Sequence, residues 1–131
     1  MSDLKTILLI GDEEHTREFL GVNLSRHGFR VVTSPIGNEA IDAAKRLLPT
    51  IILLDIVIPE VHGLDTCLRL RALEQLNDTA IAFLSCRSED IVQITGFEAG
   101  ADDYIKKPVR LDVLIYRLNA LARRVERNKI S

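Results

Sequence analysis

The sequence predicts a doubly wound α/β domain in which five βα units share one parallel sheet. Three observations predict it. Apolar runs of four or five residues recur at Ile7-Leu8-Leu9-Ile10, Ile51-Ile52-Leu53-Leu54 and Ala80-Ile81-Ala82-Phe83-Leu84, and unbroken runs of this length read as strands buried on both faces. Segments of helical periodicity alternate with them. No hairpin turn signal joins any two strands, so every connection is a crossover.

The first run, Ile7–Ile10, ends in Gly11-Asp12-Glu13-Glu14. From Glu13 to His27 the residues Phe19, Leu20 and Leu24 fall on one helical face, with acids at the positive end of the helix dipole and Gly28 as the stop. Arg30 to Ser34, with Val31 and Val32, forms a short second strand, and Pro35-Ile36-Gly37 turns the chain. Asn38 can cap a helix holding Ala40, Ile41, Ala44, Leu47 and Leu48, which Pro49 ends. The third strand, Ile51–Leu54, closes on Asp55. An ionised carboxylate is costly at the edge of an apolar core, so Asp55 belongs at the strand's carboxyl end, facing cations or donors.

A loop with Pro59 and Gly63 leads to a helix from about Leu64 to Leu76, with Leu64, Cys67, Leu68 and the stem of Arg71 on related faces. The fourth strand, Ala80–Leu84, ends at the hydroxyl of Ser85. Ser88 caps a helix through Ala99, interrupted by Gly96 at a cost of ~1 kcal/mol against alanine. Gly100-Ala101 turns into the strand Asp103–Lys106, and Lys107-Pro108 closes it. In the last helix Leu111, Leu114, Ile115, Leu118, Leu121, Ala122 and Val125 keep a helical period throughout. The expected strand order is the flavodoxin-like 2-1-3-4-5, whose switch point lies between the first and third strands.

At 131 residues and 14.7 kDa the chain reads as one domain, with a core at about 5–126. A net charge of -2 argues for neither a nucleic-acid nor a membrane surface. Cys67 and Cys86 are too few for a disulfide framework or a zinc site and read as two buried thiols in a reducing cytosol. The absence of an apolar run near ~20 residues, and early charges in place of a signal peptide, lead to the same expectation of a cytoplasmic protein. His15, His27 and His62 lie apart and read as surface residues.

The strand ends would bring Asp12, Asp55, Ser85 and Lys107 to one rim. Two carboxylates ~4 Å apart repel by roughly 4 kcal/mol at an effective dielectric near 20, so they share a proton or hold a cation. Oxygen ligands without a His or Cys cluster favour magnesium over zinc. With a lysine as point charge and a hydroxyl as donor, these are the parts of a phosphoryl-transfer centre in which Asp55 is the nucleophile.

These residues resemble the receiver domain of bacterial two-component response regulators over nearly the whole chain. Leu-Leu-Asp55-Ile-Val-Ile-Pro59 with Gly63 is similar to the family's phosphoacceptor loop, Leu84-Ser85 to its hydroxyl strand end, and Gly100-Ala-Asp-Asp-Tyr104-Ile-Lys-Lys107-Pro108 to its final strand and turn. The resemblance implies that Asp55 accepts a phosphoryl group from the phosphohistidine of a sensor histidine kinase or phosphotransfer protein, with Mg2+ held by Asp12, Asp55 and the Val57 backbone carbonyl. It further implies that Ser85 bonds the phosphoryl oxygen, that Lys107 neutralises it, and that Tyr104 swings inward as Ser85 moves. The face formed by residues 88–126 would then change for dimerisation or partner docking. By this resemblance the chain is an autocatalytic phosphoacceptor that dephosphorylates itself slowly, not a turnover enzyme. Apolar Val57 gives no help in orienting an attacking water, so the phosphorylated state is expected to be long-lived.

Gly11 departs from the family, which usually carries two acids after the first strand. Asp12 then stands alone, with weaker metal binding, or Asp12 and Glu13 form the pair; the first is preferred because Glu13 fits the helix start. Cys86 stands where the family more often has a smaller residue, suggesting tighter access. The Ala-Asp-Asp-Tyr and Leu-Ala-Arg-Arg segments are similar to the winged-helix transcription-factor branch. Arg123, Arg124, Arg127 and Lys129 read as a solvated last turn, or as partners for Asp102 or Asp103 of a second copy. No output domain is expected within these residues, and no direct nucleic-acid or membrane binding. Two other readings stay open: a degenerate receiver acting as a phosphorylation-independent docking module, and a small magnesium-dependent phosphohydrolase or nucleotide-binding protein, which would need a Gly-rich phosphate loop absent here.

Overall fold

The structure is a computed structural model that describes residues 4–56, 61–87 and 89–130. In chain order the elements are β1 (Lys5–Gly11), α1 (Glu14–Arg26), β2 (Phe29–Ser34), α2 (Asn38–Leu47), β3 (Ile51–Asp55), α3 (Val61–Arg71), β4 (Ala80–Ser85), α4 (Asp90–Glu98), β5 (Asp103–Lys106) and α5 (Leu111–Ile130), with a 3-10 turn at Glu74–Leu76. All strand pairs are parallel, in the order β2-β1-β3-β4-β5. Gly11 pairs with Asp55, and Ser85 with Lys106, so the carboxyl ends of β1, β3, β4 and β5 share one rim.

The two-residue period of the strands divides the core in two. Ile7, Leu9, Ile51, Leu53, Ala82, Leu84 and Ile105 face Leu20 and Leu24 of α1 and Leu114, Leu118 and Val125 of α5. Leu8, Ile10, Ile52, Leu54, Ile81 and Phe83 face Ala40, Ile41 and Ala44 of α2 and Cys67 and Leu70 of α3. Each fully buried Leu or Ile stabilises the fold by roughly 1.5–3 kcal/mol, and β1 and β3 supply a large share of them. Among the described residues no helix is long and apolar enough to cross a membrane.

Several expectations of detail are corrected. Phe19 is 66% exposed, because the buried line of α1 runs through Leu20 and Leu24 and places Phe19 beside it. Gly37, with φ of +106°, is the residue before α2, and Asn38 is its first helical residue, so Asn38 is not the cap. Leu48 leaves the helix in a left-handed conformation, and its side chain is exposed. On α3, Leu68 is exposed while Cys67 is fully buried. This helix stops at Arg71, five residues before the expected end, and a separate 3-10 turn brings Leu76 into the core. Phe29 joins β2 and is buried. Cys86 is exposed, since it lies one residue beyond the end of β4. The expected cap at Ser88 lies outside the described residues, as do Val57 and Pro59.

Arg71, the last residue of α3, ties the helix to the segments that follow it. Its guanidinium donates to the carbonyls of Gly100 (3.0 Å), Leu76 (3.2 Å) and Thr79 (3.1 Å) and to Asp102 Oδ2 (2.9 Å). The same Asp102 oxygen accepts the amide of Ile81 at 2.8 Å. Gly100, with φ of +110°, makes room for this side chain, since a Cβ there would lie 2.7 Å from Arg71 Cγ. Arg124 approaches Asp102 at 4.0 Å and Arg117 approaches Asp103 at 3.9 Å within the one chain, so these acids have intramolecular cations beside them.

Candidate functional site

Asp55 is the last residue of β3 and is 5% exposed, held between β1 and β4 at the sheet's carboxyl rim. Lys107, just past β5, turns back over the rim, and its Nζ forms an ion pair with Asp55 Oδ1. Its backbone is anchored too, because the Lys107 amide donates to the Ser85 carbonyl at 2.7 Å. Ser85 is fully buried at the end of β4, and its Oγ accepts the Arg87 amide at 3.1 Å. Three of the residues singled out from sequence, Asp55, Ser85 and Lys107, therefore meet at adjacent strand ends.

Burial pushes the Asp55 carboxyl above the ordinary carboxylate range. Hydrogen bonding and charge from Lys107 oppose the rise, while the negative charges of Glu13 and Asp12 add to it. Both acids at the exit of β1 thus act electrostatically on Asp55, and Glu13 ranks ahead of Asp12. Asp12 itself is exposed. Among the described residues no three His, Cys, Asp or Glu side chains converge as a metal cage. A donor set of carboxylate oxygens, with Asp12 exposed to solvent, still suits magnesium, which takes one or two carboxylates and keeps several waters. The Val57 carbonyl expected to complete that set lies outside the described residues.

Position 11 is closed to an acid in this geometry. The Gly11 carbonyl accepts Arg17 Nη1, and the Arg17 stem lies beside the place a side chain would take. Glu13 was weighed from sequence as the second acid of the pair, but Arg17 was not legible: it lies six residues beyond the strand end and reaches back only because α1 folds over β1.

Tyr104 lies inward, 7% exposed, with its ring 5.8 Å from that of Phe83. Its hydroxyl donates to the Arg87 carbonyl at 2.7 Å. Burial raises the Tyr104 pKa, and hydrogen bonding with Ser85 pulls against that rise. The tyrosine and the serine thus both bond to the backbone of Arg87, in the connection between β4 and α4. Around Lys107, the residues Thr16, Phe19, Leu20, Cys86 and Pro108 contribute to an open, largely apolar groove of about 420 Å³. The exposed thiol of Cys86 borders this groove.

Comparison with known proteins places this arrangement. The model of the response regulator receiver domain matches residues 7–119. The transcriptional regulatory protein AfsQ1 of Streptomyces coelicolor is 38% identical over 124 residues, covering 95% of this chain and 54% of that protein. The alkaline phosphatase synthesis transcriptional regulatory protein PhoP of Bacillus subtilis is 36% identical over 122 residues, covering 93% and 50%. The chain therefore spans about half the length of these relatives. Among solved structures, the BeF3-activated N-terminal receiver domain of Klebsiella pneumoniae RstA matches with a TM-score of 0.81 at 31% identity, covering 91% of this chain and 99% of that one. A response regulator structure from Chloroflexus aurantiacus gives 0.82 at 29% identity, covering 92% and 98%. With its sheet order, its strand-end residues and a family match over most of its length, this chain belongs to the response regulator receiver domain family.

Proposed function

We propose that the chain is a phosphoacceptor receiver of a two-component system, in which Asp55 takes a phosphoryl group from a phosphohistidine on a sensor histidine kinase or phosphotransfer protein. The observation that carries this reading is the buried Asp55 carboxylate held against Lys107 at the rim, with the Ser85 hydroxyl on the next strand. In the reaction an Asp55 oxygen attacks phosphorus as the bond to the imidazole nitrogen breaks, and the imidazole leaves neutral after taking up a proton. Lys107 offsets negative charge on the transferring group, and Ser85 can donate a hydrogen bond to one of its oxygens.

Asp12, Asp55 and the Val57 carbonyl would hold Mg2+. When bound, it would supply positive charge to offset the carboxylates and the incoming group. Loss of the phosphoryl group is slow and leaves no released organic product, so the chain is not a turnover enzyme on this reading. The apolar residues Ile91, Ile94 and Phe97 on α4 and Val113 and Tyr116 on α5 are exposed, which supports the 88–126 face as a surface for a second copy or another partner. The chain itself is proposed to make no direct nucleic-acid contact.

Intact mass after incubation with Mg2+ and a small acyl phosphate tests the reading, with Asp55→Asn as control. One added phosphoryl group, lost without metal and lost in the variant, is expected. Gly11 favours a second reading, a docking module that works without phosphate, because an acid cannot be placed there without moving β3. No mass gain by a folded chain would select that alternative.

A further inference from the structure

Gly96 sits in the last turn of α4, two residues before its end, at a helical position where glycine is unfavourable relative to alanine. It is buried, on the inward side of a helix whose outward residues Ile91, Ile94 and Phe97 are exposed. A Cβ on Gly96 would lie 3.3 Å from Tyr104 Cδ2 and 3.4 Å from both Phe83 Cδ2 and Cε2. These are distances at which one ring or the helix must give way. The far end of the same tyrosine is fixed by the Arg87 carbonyl at 2.7 Å, and the Arg87 amide is bound to Ser85 Oγ at 3.1 Å. One aromatic ring thus touches α4 on its edge and the exit of β4 at its hydroxyl.

We propose that Gly96 is the positioning residue that couples α4 to Tyr104: its missing side chain is the socket for the ring, so ring and helix move together. A change at Ser85 that shifts the tyrosine must then shift the outward face of α4, and a partner bound to that face must hold the tyrosine in place. Such coupling is reciprocal by linkage. Only this signalling consequence rests on the phosphoacceptor reading; the socket is a packing relationship that exists without phosphate.

The chain has two tyrosines and no tryptophan, so Tyr116→Phe leaves Tyr104 as the sole tyrosine reporter. In that background, Gly96→Ala is expected to raise acrylamide quenching of tyrosine fluorescence about two-fold or more as the ring gains water. It is also expected to lower Tm. With Tyr104→Ala added, the same Gly96→Ala change is expected to raise Tm by about 2–5 °C, because the helix gains alanine and the ring is gone. Failure of Gly96→Ala to fold, rescued by Tyr104→Ala, supports the socket. Unchanged quenching, equal Tm shifts in the two backgrounds, or failure to fold in both would overturn it. No phosphodonor enters these measurements, so a negative acceptor assay and a failed socket are separate results.

Discussion

A Cβ on Gly11 would lie 2.9 Å from the backbone carbonyl oxygen of Asp55, its register partner across β1 and β3. A Cβ does not rest that close to a carbonyl oxygen, so the strands could not keep this approach if residue 11 carried a side chain. Gly11→Asp is therefore not a simple restoration of the usual acidic pair. It is expected to destabilise the fold by about 1–3 kcal/mol, as overpacking does. Urea denaturation would show a lower midpoint, and a midpoint equal to that of the parent chain would contradict the close approach.

Burial holds Asp55 in its protonated form more strongly than water does, so its folded pKa stands above the ordinary value of 3.8. The folded state then binds more protons than the unfolded chain, and ionisation costs stability. That loss grows as pH rises from 3.8 through the raised folded value and is complete above it. Asp55→Asn removes the charge while leaving an oxygen for Lys107. It is expected to raise Tm at pH 7, with a smaller gain at pH 4. Calorimetry of both proteins across that range checks the sign; a gain that is larger at pH 4 would reverse it.

The two thiols differ in environment. Cys67 is fully buried and its thiol is pushed up to about 11, chiefly by desolvation, whereas Cys86 is exposed. Iodoacetamide on the native chain at pH 8 is expected to add one label, at Cys86, and a second only in denaturant. Peptide mapping decides this, and native labelling of Cys67 would refute the packing of α3.

Arg71 joins α3, the 3-10 turn and the start of β5 through three carbonyls and Asp102. Arg71→Ala strands these acceptors and is expected to cost about 2–4 kcal/mol. Arg71→Lys keeps the charge without the planar fork and should recover less than half of that loss. Chemical denaturation of the three proteins gives the comparison, and full recovery by lysine would mean that charge alone matters.

Much of the fold was legible in the sequence because strands buried on both faces leave unbroken apolar runs. Ile51–Leu54 and Ala80–Leu84 announce their burial, and the crossovers between them permit few topologies. Asp55, Ser85 and Lys107 were legible for the same reason, each standing at the end of such a run or of the short last strand. Features that depend on distant approach were not. Phe19 has the composition of a core residue and lies exposed, and Asn38 has the chemistry of a cap while Gly37 takes that place.

The sequence by itself determined the order of elements, the parallel sheet and the residues at its carboxyl rim, since these follow from local periodicity and chain connectivity. Only the tertiary structure decided which groups meet across elements. Arg17 reaches the Gly11 carbonyl, Arg71 gathers carbonyls from two later segments, and Gly96 leaves space for Tyr104. The physical reason is that hydrophobic patterning is written along the chain. Close packing and hydrogen bonding are settled between surfaces whose distances exist only once the helices lie on the sheet.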